Sequence, residues 1–457
     1  MIPVLHDAPG CFSVSFIFLE VKHILHNLEL NSKIIETRLL THPAVSDGQE
    51  SDMTYIKRAI ENTLEKARTQ SKIVLLTGAR QVGKTTVIRE TFPQYAYLTL
   101  DDENELMLAK TDPQLFFRER EYPLIIDEVQ YVPELFRTIK LIADRSAEKG
   151  QLFLTGSQTY SLLSSTTESL SGRVTVLELL GLSLRERFGI SCNEPFLPDD
   201  GYISRRKCEY VPYRHLWELI HRGSMPELTD EGRDWEWYYR DYVRTYLERD
   251  VRLMINVKDE LKFRNFLTSI AARSGQILIY DEVARDVGID IKTVQHWLSV
   301  VAASGIVRIV HTYANNIIKR VIKSPKIYMT DTGLLCYLLG WKTPETAEKG
   351  AMSGNIFETF VVSEILKSYV NAGFDAENIY YYRDADKKAI DLVIVDGDVL
   401  YPVEIKKSAQ VSREWIKNFD VLKKVPGKKI GKGAVVCLCE HPVPITDEVT
   451  ALPIEFI

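Results

Sequence analysis

The segment Lys72-Ile73-Val74-Leu75-Leu76-Thr77-Gly78-Ala79-Arg80-Gln81-Val82-Gly83-Lys84-Thr85-Thr86 constrains the fold more than any other stretch. An apolar run of strand length ends at Gly78, and Gly78 to Thr85 fits G-x-x-x-x-G-K-[ST]. Glycines let the backbone turn tightly, so that its N–H groups point inward at phosphate oxygens. At this spacing Lys84 reaches the β- and γ-phosphates and the Thr85 hydroxyl ligates Mg²⁺. A helix beginning near Lys84 aims its positive end at the same anion. Gly78, Ala79, Arg80, Gln81, Val82, Gly83, Lys84, Thr85 and Thr86 are therefore the expected nucleotide-binding residues.

A chance match in a glycine-containing turn is the competing reading, and two further strands weigh against it. Tyr122-Pro123-Leu124-Ile125-Ile126-Asp127-Glu128-Val129-Gln130 is a second buried-strand run, ending in two acids. An Asp at such a strand end holds Mg²⁺ together with the loop hydroxyl, here Asp127 with Thr85. Glu128 is placed to orient and deprotonate the attacking water. Leu152-Phe153-Leu154-Thr155 runs into Gly156-Ser157-Gln158, so that Ser157 or Gln158 can face the γ-phosphate. Parallel strands with polar carboxyl ends describe the ligand crevice of a doubly wound sheet. The implied activity is hydrolysis of a nucleotide.

At 457 residues the chain is too long for one ordinary core. Hydrophobic content of 45% and charged content of 26% are those of a soluble globular protein. A net charge of −6 exerts no global pull on nucleic acid, so such contact must come from local patches. The six cysteines are scattered, and Cys437-x-Cys439 lacks the second pair of a zinc site and reads as core. Reduced thiols and a cytoplasmic setting are expected, with no bilayer-spanning run. Residues 1–52 differ in composition from the remainder of the chain, whereas Met53-Thr54-Tyr55-Ile56-Lys57-Arg58 opens an amphipathic helix before the P-loop strand. Either the biological start is Met53 or the first 52 residues are a flexible extension.

The ATPase core is expected over residues 53–200, followed by a helical lid or linker over 201–270. Arg173, after Leu170-Ser171-Gly172, can approach nucleotide phosphate in cis or across a subunit contact, or can be a surface arginine. Tyr238, Tyr242 and Tyr246 recur every four residues and read as core packing. Residues 271–343 read as a winged helix. Asp281 caps Glu282–Val287, Gly288 makes the turn, and Ile291–Val301 forms a second helix. A hairpin-like stretch comes next with five basic residues, Arg308, Lys319, Arg320, Lys323 and Lys326, and no acidic one, suited to duplex phosphates. Such modules also serve as packing elements, and the second helix offers only Lys292, Gln295 and His296 to bases.

Residues 344–457 carry another pattern. Ala389-Ile390-Asp391-Leu392-Val393-Ile394-Val395, a turn at Asp396-Gly397-Asp398, and Val399-Leu400-Tyr401-Pro402-Val403-Glu404-Ile405-Lys406 read as strand, turn, strand. Asp391 with Glu404 and Lys406 has the spacing of a D…E-x-K nuclease constellation. Glu404 and Lys406 alternate with Ile405 and share a strand face. Two carboxylates can bind a divalent ion that activates water while Lys406 acts on the phosphate. Glu358, on the helical run Asn355–Val361, is a third candidate metal ligand.

The order of these motifs resembles a widespread family of bacterial and archaeal ATP-binding proteins with an AAA-type ATPase core, a winged helix and a restriction-endonuclease-like C-terminal domain. The resemblance covers nearly everything from Met53 onward. It also rests on Tyr246-Leu247-Glu248-Arg249-Asp250-Val251 and Thr330-Asp331-Thr332-Gly333-Leu334. It implies ATP and Mg²⁺ as cofactors, with Gly83, Lys84 and Thr85 binding nucleotide and Asp127 and Glu128 serving as metal-binding and water-activating acids. Ala389 departs from the pattern, since such proteins often carry an acid there. The resulting expectation is an α/β, multidomain, Mg²⁺-dependent ATPase coupled to DNA, able to form homo-oligomers and without membrane contact. The alternative is a nucleotide-switched regulator whose nuclease-like domain is catalytically inactive.

Overall fold

The computed structural model describes residues 55–118, 120–157, 170, 172–246, 259–314 and 324–457. Residues 1–54, Gln158, Arg249 and Asp250 lie outside them, as do Lys319, Arg320 and Lys323 of the expected wing.

Strands β1 (Ile73–Thr77), β2 (Ala96–Thr99), β3 (Leu124–Asp127), β4 (Leu152–Gly156) and β5 (Val174–Glu178) form a fully parallel sheet in the order β2-β3-β4-β1-β5. Strands buried on both faces read as unbroken apolar runs, and β1 is buried at all five positions. Ile73 and Leu75 enter a core with Phe136 and Ile139 on one face, while Val74 and Leu76 enter another with Leu64 and Val87 on the other. The helices around the sheet are α1 (Glu61–Gln70), α2 (Lys84–Thr91), α3 (Glu103–Thr111), α4 (Pro113–Arg118) and α5 (Leu135–Arg145). Helix α1 begins at Glu61, after the described part of the expected amphipathic helix. Residues Tyr55–Arg58 are non-helical, and the Arg58 side chain turns into the protein, only 4% exposed.

After α6 (Leu184–Arg187), α7 (Asp200–Cys208), α8 (Leu216–Arg222) and α9 (Trp235–Tyr242) comes a helix-rich region with a small sheet. It contains α10 (Glu260–Ala271), β6 (Gln276–Ile277), α11 (Tyr280–Val287), α12 (Ile291–Ala303), β7 (Val307–Val310) and β8 (Lys326–Met329). The sheet is antiparallel, in the order β6-β8-β7. Asp281 lies inside the first turn of α11, not at its cap, which is Ile279; Gly288 ends that helix in the left-handed region at φ 70°. Asp290 caps α12 through the Thr293 N–H. Tyr238, Tyr242 and Tyr246 are buried, as the stripe predicts.

The C-terminal region comes after α13 (Thr332–Leu339), α14 (Pro344–Lys349) and the long α15 (Ser353–Asn371). Its sheet runs β14-β15-β13-β11-β10-β9, with β12 paired to β11. Members are β9 (Ile379–Arg383), β10 (Ala389–Asp396), β11 (Val399–Ile405), β12 (Lys429–Ile430), β13 (Gly433–Cys437), β14 (Val443–Thr446) and β15 (Val449–Pro453). Strands β10 and β11 are the expected hairpin, with Asp396 opposite Val399. Cys437 and Cys439 are buried within its core. Among the described residues no helix is long and apolar enough to cross a membrane.

Candidate nucleotide site and carboxylate cluster

Gly78 opens the loop after β1 at φ 145°, and a Cβ there would meet the Leu179 carbonyl oxygen at 2.2 Å. Only glycine lets the loop leave the strand this close to its neighbour. Gly83, at φ 90°, precedes α2, whose first residue is Lys84. The Lys84 ammonium folds into the loop and donates to the carbonyls of Gly78 (3.1 Å) and Ala79 (2.8 Å). Burial, only partly offset by Glu128 and Asp127, lowers its pKa to about 8. An ammonium this buried with only carbonyl partners is suited to an incoming anion. Ala79 and Val82 are buried, Arg80 lies over the Tyr246 ring at 5.7 Å, and Gln81 and Thr86 face solvent.

Strand order brings the acids to the loop. The Thr85 hydroxyl donates to Asp127 Oδ2 at 2.9 Å, and Tyr97 donates to the same oxygen at 3.0 Å. Thr155, at the end of β4, donates to Asp127 Oδ1. Glu128 adopts φ 58°, an uncommon conformation for a non-glycine residue. Its N–H donates to Thr155 Oγ1 (3.3 Å), and Gln130 and Ser157 (3.4 Å) both donate to its Oε2. Lys84, Thr85, Asp127, Glu128 and Ser157 thus converge, and the donor set fits a nucleotide phosphate chain with a magnesium ion.

Arg173 is the exception. It precedes β5, whose parallel register pairs Val174 with Ile73 at the opening of β1, and its Nε donates to Asp144 at 2.5 Å. It therefore sits at the edge of the sheet opposite the P-loop, about 13 Å away at 3.3 Å per strand residue. The expectation of a phosphate contact in cis fails because parallel strands put their beginnings and ends on opposite edges.

Sequence reasoning missed Arg58, Tyr97, Thr155 and Gln130. Arg58 donates to the P-loop carbonyl of Val82 (2.8 Å), to Leu180 O (2.8 Å) and to buried Glu186 (2.9 Å). Burial raises the Glu186 carboxyl, but Arg58 and the backbone N–H groups around it outweigh this and hold it below the usual range. The amphipathic pattern at Tyr55–Arg58 concealed this role; the polar strand ends Thr99 and Thr155 were the available signal for the others.

In the C-terminal sheet the expected residues also come together. Asp391 Oδ2 accepts from the Ile405 N–H at 3.0 Å, and the Asp391 N–H approaches Glu404 Oε2 at 3.5 Å. Lys406 pairs with Glu404 at 2.6 Å and with Asp391 at 3.6 Å. Glu358 on α15 joins them through a residue of the small sheet, since Lys326 pairs with Glu358 at 2.8 Å and with Asp391 at 3.5 Å. The Tyr328 hydroxyl donates to Glu358 at 2.8 Å. Burial, and then Asp391, pushes the Glu404 carboxyl up to about 7. Among the described residues no group of three or more His, Cys, Asp or Glu side chains is arranged to hold a metal. The expected ligand set Glu358, Asp391 and Glu404 is therefore corrected to carboxylates bridged by two lysines. The basic-wing expectation loses two members: Lys326 pairs inward, and Arg308 pairs with Glu178 at 2.6 Å.

Residues 70–188 match the family described as AAA domain. Residues 213–345 and 353–457 match two domains of unknown function, DUF8612 and DUF4143. An uncharacterized protein of Mycobacterium tuberculosis is 29% identical over 412 residues, covering 89% of this chain and 86% of that protein. One from Methanocaldococcus jannaschii is 22% identical over 390 residues, covering 81% and 83%. Among solved structures, a Walker-type ATPase of Pyrococcus abyssi is 15% identical with a TM-score of 0.35, covering 62% of this chain and 96% of that one. RuvB of Thermotoga maritima is 19% identical with a TM-score of 0.27, covering 55% and 88%. The family match and the parallel sheet around the Gly78–Thr85 loop describe an AAA-type P-loop ATPase fold.

Proposed function

We propose that this chain is a Mg²⁺-dependent ATPase whose nucleotide state acts on a DNA-directed winged-helix module and a nuclease-like C-terminal domain. The observation that carries the reading is the convergence of Lys84, Thr85, Asp127 and Glu128 around one loop. Lys84 and the loop N–H groups would hold the phosphates, and Thr85 and Asp127 would hold the magnesium ion. ATP would be the source of the γ-phosphoryl group, and a bound Mg²⁺ would supply positive charge beside its oxygens. Glu128 orients water and accepts its proton, while Ser157 and Gln130 keep its carboxylate in place. Tyr97 and Thr155 hold the Asp127 side chain. The proposed setting is cytoplasmic, and a homo-oligomer, which would leave Arg173 able to act across a subunit contact, belongs to the same reading.

Three features support coupling to the other regions. The helix pair and three-stranded sheet have the element order of a winged helix. Lys292, Gln295 and His296 are exposed together on α12 for duplex contact. At the opposite end of the module Gly305 packs on the P-loop, where an added Cβ would lie 3.4 Å from the Ala79 nitrogen. Nucleotide binding to the loop would therefore press on this turn.

ATP turnover measured with and without single-stranded, duplex and branched DNA tests the reading. Lys84→Ala should lose ATP binding. Glu128→Gln should keep binding and slow hydrolysis by about 10² or more. Equal loss of binding in both variants removes the assignment of Glu128, and turnover indifferent to every DNA form removes the DNA-directed part. A second reading, a nucleotide-switched DNA- or protein-binding regulator with a silent C-terminal domain, is favoured by one observation: Lys326 lies among the carboxylates that would otherwise take a metal.

A further inference from the structure

Strand β8 sets the direction of Lys326. It pairs on both sides, Lys326 opposite Ile277 of β6 and opposite Val310 of β7. Lys326 and Tyr328 alternate with Ile327, so both leave the same face of the strand, and both reach Glu358. The lysine is thus delivered by a paired strand of a neighbouring sheet, not by a loose surface tail. Its side chain is 12% exposed, and the Glu358 and Asp391 side chains are 16% and 15% exposed.

Charge then decides what else fits. Glu358, Asp391 and Glu404 carry up to three negative charges, against which stand two ammonium groups, those of Lys326 and Lys406. Lys326 ties Glu358 to Asp391, and Lys406 ties Asp391 to Glu404, so each carboxylate already has a cationic partner. A divalent ion entering between Glu358 and Asp391 would take the place of the Lys326 ammonium or lie directly against it. Like charges at that separation, in a partly buried site, repel strongly. Withdrawing the lysine leaves Glu358 without its cationic partner and Asp391 with only Lys406 at 3.6 Å, an excess of negative charge of the kind a divalent ion needs.

We propose that Lys326 is the resident counter-ion of the carboxylate cluster and keeps it closed to divalent cations, so that the metal and the lysine compete for Glu358 and Asp391. The inference rests on the nuclease-like reading only for the metal preference of the carboxylates. Mn²⁺-supported DNA cleavage by the Lys326→Met protein, which the nuclease-like reading calls for and this inference does not, separates their failures.

The test is Mn²⁺ binding to the nucleotide-free full chain, followed by electron paramagnetic resonance. Wild-type protein and Asp391→Asn should give the same titration. Lys326→Met should gain a site that binds at least about ten-fold more tightly than anything in wild type, and adding Asp391→Asn should abolish it. Lys326→Arg, which keeps a cation, should gain nothing. A wild-type site that Asp391→Asn removes overturns the proposal, and needs no Lys326 variant to be seen. A folded Lys326→Met protein without the new site overturns it as well. Should Lys326→Met fail to fold, Lys326→Gln replaces it with the same two outcomes.

Discussion

Lys84 shows how burial and chemistry are linked at a single side chain. Its ammonium donates to the carbonyl oxygens of Gly78 and Ala79, and burial brings its pKa down to about 8. Bound phosphate favours the charged form and raises that pKa again. Below about pH 8 the lysine is already protonated, and binding takes up no proton. Above it the neutral amine must gain one, so affinity falls as pH rises, by up to about ten-fold per unit. Calorimetric titration of an ATP analogue at pH 7 and pH 9, in buffers of different ionisation enthalpy, should show proton uptake only at the higher pH. Lys84→Arg keeps its charge throughout and should flatten the dependence. Equal proton uptake at both pH values would mean that Lys84 is not the group responding to phosphate. Arg58 acts differently, holding the Val82 carbonyl and the buried Glu186 together, so its contribution is to loop position rather than to phosphate charge.

At the scale of an element, α13 explains the motif Thr330-Asp331-Thr332-Gly333-Leu334, for which the sequence offered no chemistry. Asp331 caps the helix through the Leu334 N–H at 2.6 Å. The same carboxylate accepts from the Ser224 N–H (2.6 Å), the Ser224 hydroxyl (2.8 Å) and the Tyr239 hydroxyl (2.6 Å). Gly333 is small because a Cβ there would fall 2.3 Å from the Tyr239 hydroxyl oxygen. Asp331→Ala should cost about 3 kcal/mol or more, from the lost cap and the buried donors left without an acceptor. Asp331→Asn keeps one carbonyl oxygen and should cost less. Chemical denaturation of the two variants orders them, and a loss below about 1 kcal/mol for the alanine variant would make the anchor incidental.

Across the whole molecule, α15 binds the C-terminal sheet to the rest. Glu364 accepts the Leu184 N–H, Lys367 donates to the Leu182 carbonyl, and Ser368 accepts the Phe196 N–H. Ser274 shares a hydrogen bond with Thr359. Tyr202 and Arg206 donate to the carbonyls of Phe456 and Glu455 at the far end of the chain. Helix α15 is buried from Ile356 to Asn371 except at Glu358. Residues 55–457 should therefore unfold in one calorimetric transition, and a fragment beginning at Pro344 should not fold alone; two separated transitions would show independent domains. The nucleotide loop was legible in the sequence because its chemistry lies in eight consecutive residues and in the ends of apolar strands, where local pattern and function coincide. The β10–β11 hairpin was legible for the same reason, as alternation around a Gly-Asp turn. Which partner each charged residue meets was not. Arg173 and Lys326 both look like surface cations, yet strand polarity carries Arg173 away from the phosphates and the packing of β8 against α15 brings Lys326 to Glu358 and Asp391. A sequence states charge and spacing along the chain, whereas the energy of an ion pair depends on distance and burial, and only the packed chain sets those.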